Sequence, residues 1–104
     1  MEAFQKVSMK WFGLHEMEIA ESTAYSYQKS LNFINEYFYN MDINEIGRED
    51  IQNYIKLLYE KGYKSETITN YFKLINMTFE YAMDYEIIPK WSSPCYKIVI
   101  LKTD

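Results

Sequence analysis

An all-α fold is predicted, a small four-helix bundle with an extended C-terminal tail, and three observations carry the prediction. Apolar residues recur at three- and four-residue steps over most of the chain, the spacing that lines one face of a helix. Three glycines and two prolines interrupt the 104 residues, too few for a many-turned sheet protein. The chain is 48% hydrophobic and 18% aromatic, with 11 tyrosines, enough to fill a single core without staples.

The first helix is expected over Glu2 to Leu14, with Phe4, Val7, Trp11 and Leu14 on its inner face. Gly13 and the polar run HEMEIAES end it, which leaves His15 as a solvated loop residue. Ser22 is a suitable N-cap for a second helix reaching about Tyr39. That helix buries Tyr27, Leu31, Ile34 and Phe38 and turns Tyr25, Lys29, Asn32 and Glu36 outward. In the loop NMDINEIG, Ile43 and Ile46 tuck inward.

A third helix follows from about Arg48 to Glu60, burying Ile51, Tyr54, Ile55 and Leu58. Glu49 and Asp50 in its first turn favour the positive end of the helix dipole, and Gly62 closes it. Ser65 is expected to cap a longer fourth helix to about Tyr85. Ile68, Phe72, Ile75, Phe79 and Ala82 form its stripe, widened by Leu74, Tyr81 and Tyr85, so this helix is central. Pro89 stops helical structure, and KIVIL is too short for a helix. Residues 1–88 therefore read as the helical domain and 89–104 as an extended tail.

Composition excludes several function classes. The formal charge is -4, which argues mildly against a nucleic-acid binder and suits an acidic helical protein-interaction module. The lone Cys95 permits no internal disulfide and suits a reducing, cytoplasmic setting. Cys95 and His15, the only soft ligands, lie far apart in sequence, so no metal site and no cofactor are expected. No apolar run approaches the length of a membrane span. Catalysis lacks its groups too. No histidine stands near Cys95 to make a thiolate, and the glycines are scattered singly, so no phosphate loop exists. A binding module is the better class, and a small enzyme using Tyr or Cys chemistry the weaker one.

The order of the features resembles the N-terminal core-binding (SAM-like) domain of the tyrosine recombinase, or phage integrase, family, over nearly the whole chain. A first helix with an F…W pattern is present as AFQKVSMKWF. A Ser/Thr-started helix with a tyrosine four residues on is present as ESTAYSYQKSLNFINEYF. The loop-to-helix phrase, polar linker and hydrophobic helix follow in INEIGREDIQNYIKLLYEKGYKSETITNYFKLINMTFEYAMDYEII, ending on Tyr81-Ala82 and Ile87-Ile88. The pattern departs from the family where Ser93-Pro94 replaces Asn-Pro and where Gly47 replaces a Ser or Thr cap.

The resemblance implies a domain that helps clamp double-stranded DNA for integration or excision. The tail would be the linker toward a catalytic domain, and neighbouring recombinase protomers would be partners. The family's catalytic arginine pair and tyrosine nucleophile belong to that second domain. Arg48 is the one arginine here, so strand cleavage is not expected of this chain. The resemblance further implies that the second and fourth helices face DNA. On helix two the candidates are Ser22, Thr23, Ser26 and Lys29. Around the start of helix four they are Lys61, Lys64, Ser65, Thr67, Asn70 and Lys73. Hydroxyls, lysines and backbone N–H groups at helix starts suit phosphate, and Asn70 and Lys73 could reach base edges. The same serines would also serve as ordinary caps, and Tyr25 and Phe33 suit a neighbouring helix or domain better than a base.

Overall fold

The first helix, α1 (Phe4–His15), is positioned by the chain on both of its sides. In the computed structural model, which describes residues 1–102, the Phe4 N–H donates to Met41 O at 2.8 Å. The Ile43 N–H donates to Glu2 O at 2.8 Å, and an isolated antiparallel bridge joins Ala3 to Asp42. Phe4, Val7, Ser8, Trp11 and Phe12 face inward. Leu14, expected in the core, is 48% exposed. The inward arc runs through positions 4, 8, 11 and 15, so Leu14 falls just off its edge. His15 is accordingly helical and half-buried, a correction to its reading as a solvated loop residue.

Helix α2 (Glu21–Phe38) starts one residue before the serine expected to cap it. Ala20 holds the extended cap conformation and accepts the Ala24 N–H at 2.9 Å, which puts Ser22 inside the first turn. Leu31, Ile34 and Phe38 are buried as the spacing predicts, and Tyr27 is half-buried at the stripe's edge. Asn35 is buried as well and donates through Nδ2 to Ser8 Oγ at 3.0 Å, while Ser8 Oγ donates to Gln5 O at 2.9 Å. A short 3-10 turn, Ile43–Glu45, then buries Ile43, with Ile46 buried just beyond.

Helix α3 (Arg48–Glu60) buries Ile51, Tyr54, Ile55 and Leu58. Its cap is Gly47, and the missing hydroxyl is offset from the other direction: the Gly47 N–H donates to the Asp50 carboxylate at 2.8 Å. A Schellman closure ends it. The Gly62 N–H donates to Tyr59 O and the Tyr63 N–H to Leu58 O, with Gly62 at φ +87.

Helix α4 (Ser65–Asp84) packs against α1, α2 and α3 and is the central element. Lys64, not Ser65, occupies its cap position, because Lys64 O accepts the Ile68 N–H at 3.0 Å. Its buried set is Ile68, Tyr71, Leu74, Ile75, Thr78, Phe79 and Ala82, with Phe72 at the margin and Tyr85 exposed. The helix stops before Pro89. Glu86 adopts φ +59, and the Ile87 N–H donates to Ala82 O at 2.8 Å, a second Schellman closure with glutamate where glycine is usual.

Beyond Pro89 the chain is irregular rather than extended throughout, with a turn at Lys90–Trp91, a bend at Tyr96–Lys97 and left-handed φ at Trp91 (+65) and Lys97 (+55), and its last part lies along α3. Pro94 is buried, and Cys95, Ile98 and Ile100 pack against the core. Among the described residues there is no strand, so the segment is held by side chains of α3 rather than by a sheet. Gln52 bonds both backbone groups of Val99, Tyr59 Oη donates to Leu101 O, and the Arg48 guanidinium lies 5.1 Å from the Tyr96 ring centre. The last two positions of the predicted tail, 103 and 104, lie outside the described residues.

Candidate nucleic-acid interface

Short polar side chains at helical spacing leave a trough where α2 crosses α4. On α2, Ser26 and Ser30 stand four residues apart on one face, and on α4, Thr67, Asn70 and Leu74 share another. They line a cleft of about 340 Å³ together with Tyr27, Tyr71 and Lys73. Tyr71 and Leu74 are buried. Burial, followed by the neighbouring Tyr63 phenol and Glu36 carboxylate, pushes the Tyr71 phenol above its ordinary value of 10.0, so it stays protonated. The lining offers hydroxyls, an amide and an ammonium, and no carboxylate. For a chain of net charge -4 that is a local reversal of character.

Four of the sequence-derived candidates therefore meet in one place: Ser26, Thr67, Asn70 and Lys73. Ser22 lies one turn before Ser26 on the same face, and Lys29 is exposed one turn after it. Thr23 is half-buried in the first turn of α2. Lys64 and Ser65 occupy the cap and first position of α4, next to Thr67. Lys61 stands apart. It borders a different groove with Glu36, Phe33, Tyr37 and Tyr63, on the far side of Tyr71. Tyr25, 72% exposed, is outside the cleft.

Sequence reasoning assigned Tyr27 to the core and passed over Ser30, although its spacing from Ser26 signals a shared face. The Tyr27 ring lies 6.0 Å from the His15 ring at an interplanar angle of 9°, and His15 lies 5.1 Å from Trp11 at 19°. Lys73 Nζ is 5.9 Å from the centre of the Tyr27 ring and donates to Tyr27 Oη at 3.4 Å. Among the described residues no lysine or arginine lies within ion-pair distance of a carboxylate, Lys73 included, and His15 Nδ1 stands 3.6 Å from Glu18 Oε2.

Acidic residues gather toward the end of α4, and Glu66 is exposed in its first turn beside Lys64. A second cleft, between the ends of α1 and α4, is bordered by Glu18, Glu80 and Asp84. Elsewhere Arg48, Lys56 and the tail's Lys97 share an open cleft on α3 with Glu49. Among the described residues no group of His, Cys, Asp and Glu is arranged to hold a metal ion, and no helix is long and apolar enough to cross a membrane.

Comparison with known proteins adds two findings. The family model described as phage integrase, N-terminal SAM-like domain, matches residues 3–59. The structure is also similar to the solution NMR structure of the integrase-like domain from Bacillus cereus. The TM-score is 0.88 at 27% sequence identity, over 100% of this chain and 91% of the other. No curated protein matches the chain.

Proposed function

The chain belongs to the phage integrase N-terminal SAM-like domain family, and on that premise we propose that it binds double-stranded DNA through the α2–α4 cleft. The observation that carries the reading is the convergence of Ser26, Thr67, Asn70 and Lys73 on a cleft without an acid. Such a lining receives phosphate oxygens from several directions, with the ammonium supplying charge and the hydroxyls and amide supplying geometry. Ser22, Thr23 and Lys29 extend the contact along α2, and Lys64 and Ser65 along the start of α4, while Lys61, at the end of α3, faces the neighbouring groove. In this reading Asn70, exposed at the cleft, reads a base edge. Glu80 and Asp84 bound the footprint, because a phosphate strand continuing along α4 would meet like charge.

In this reading the domain holds a recombination site while strand cleavage is done by a catalytic domain and neighbouring protomers. The tail after Pro89 is the linker toward that domain. Isolated binding is weak, since a net negative domain relies on a local patch.

The test is a mobility-shift titration of short duplexes across a salt series. With three or four lysine–phosphate contacts, log affinity falls against log salt with a slope of about -3. Absence of binding at low salt would refute the reading and favour the acidic protein-interaction module. Asn70→Ala should lose sequence preference while keeping the salt slope.

A further inference from the structure

We infer that Tyr27 is a positioning residue that holds the Lys73 ammonium at the α2–α4 cleft, and that the Trp11–His15 stack holds Tyr27 in turn; the phosphate part of this role rests on the DNA-binding reading above. A lysine is a point charge on a flexible four-carbon stem, and ordering it on arrival of a phosphate weakens binding. Here the ammonium is ordered beforehand. It sits 5.9 Å from the centre of the Tyr27 ring and 3.4 Å from the Tyr27 hydroxyl, with no carboxylate to draw it away. The two distances together put the ammonium beyond the hydroxyl edge of the ring, so what holds it is the hydrogen bond that the hydroxyl accepts.

The ring is itself restrained. Tyr27 lies parallel to His15 at 6.0 Å, His15 lies on Trp11 at 5.1 Å, and Tyr27 and Trp11 are 6.5 Å apart at 25°. Trp11 is buried, so the stack is anchored in the core. The end of α1, the middle of α2 and the middle of α4 thus meet through one chain of side chains. A phosphate entering the cleft finds the ammonium beside the Ser26 and Thr67 hydroxyls and exchanges its long bond to the phenol for a shorter hydrogen bond between two charged groups.

Two measurements test this. In the free protein, proton NMR should show nuclear Overhauser contacts from the Lys73 ε-methylene to the Tyr27 ring protons beside the hydroxyl, and Tyr27→Phe, which removes the acceptor, should abolish them. Absence of these contacts in the parent would overturn the inference whether or not the protein binds DNA. The second measurement is a double-mutant cycle in DNA affinity. Lys73→Gln should reduce the magnitude of the salt slope by about 0.9. Tyr27→Leu should weaken binding about threefold in the parent and not at all in the Lys73→Gln background. An equal loss in both backgrounds would show that Tyr27 acts only through the fold, and the inference fails. Should Tyr27→Leu not fold, Tyr27→Phe serves, with a loss of about twofold confined to the parent background. If the Lys73–Tyr27 contact is present but the parent does not bind DNA, the DNA-binding reading falls, and the phosphate role of Tyr27 with it.

Discussion

The side-chain amide of Gln52 pairs with both backbone groups of Val99: Nε2 donates to Val99 O at 2.9 Å, and Oε1 accepts the Val99 N–H at 2.8 Å. A glutamine on a helix thereby does for an extended segment what a neighbouring strand would do. Gln52→Leu removes both bonds. The Val99 amide should then exchange with solvent at least tenfold faster, at a cost in stability of about 1 kcal/mol. Unchanged exchange would show that Ile98 and Ile100 hold the tail without the clamp.

The Ser8–Asn35 pair joins α1 to α2 inside the core. Ser8→Ala strands a buried amide and should cost about 1–3 kcal/mol in urea denaturation. Combining it with Asn35→Leu removes both polar partners and should recover most of the loss. A double variant no more stable than Ser8→Ala would mean that the site rejects the leucine's shape.

Glu86 occupies a left-handed position that closes α4. A side chain pays a steric cost there that glycine does not. Glu86→Gly should stabilise the protein by about 0.5–1 kcal/mol, read as a rise in Tm, and should leave DNA affinity unaltered. Destabilisation would mean that the glutamate side chain contributes more than its backbone conformation costs.

Burial pushes the Cys95 thiol from 9.0 up to about 12, against the Ser93 hydrogen bond and with a small further rise from Glu80. The folded state therefore favours the protonated thiol more than the unfolded state does. Stability from this group is fully present below pH 9 and is lost as pH rises from 9 toward about 12. Burial also raises the phenols of Tyr54 and Tyr71, which act with the same sign above pH 10. Cys95→Ala should flatten the alkaline fall by about 1 kcal/mol between pH 8 and 10. In the parent, thiol-reactive reagents at pH 7.5 should label only after unfolding.

Reversing charge at the start and middle of α4 tests where the interface lies. The Lys64→Glu and Lys73→Glu double variant should reduce DNA binding at least a hundredfold at low salt, and Lys6→Glu and Lys102→Glu by less than twofold. The opposite ranking would move the interface to the face of α1.

The helices were legible because helical spacing survives in local sequence. The inner faces of α3 and most of α4, and the burial of Ile43 and Ile46, follow from it. Caps were less legible. Ser22 and Ser65 are good cap residues, yet Ala20 and Lys64 hold those positions, because packing sets where a helix enters the bundle. Leu14 and His15 were exchanged for a related reason: α1 continues two residues past Gly13, which carries position 15 inward. In the candidate interface, Ser26, Thr67, Asn70 and Lys73 were each identifiable by residue type, but Ser30 and Tyr27 were not.

The sequence by itself determined that this is an all-α chain with a central fourth helix and an integrase-type order of motifs. Those properties depend on periodicity and on neighbours a few positions apart. Only the tertiary structure decided that Ser26 shares a cleft with Thr67, that Lys73 bonds the Tyr27 hydroxyl, and that Gln52 clamps Val99. Each of those relationships spans more than forty positions. Its partners are selected by the crossing of helices and the path of the tail, which depend on how all the apolar faces pack at once.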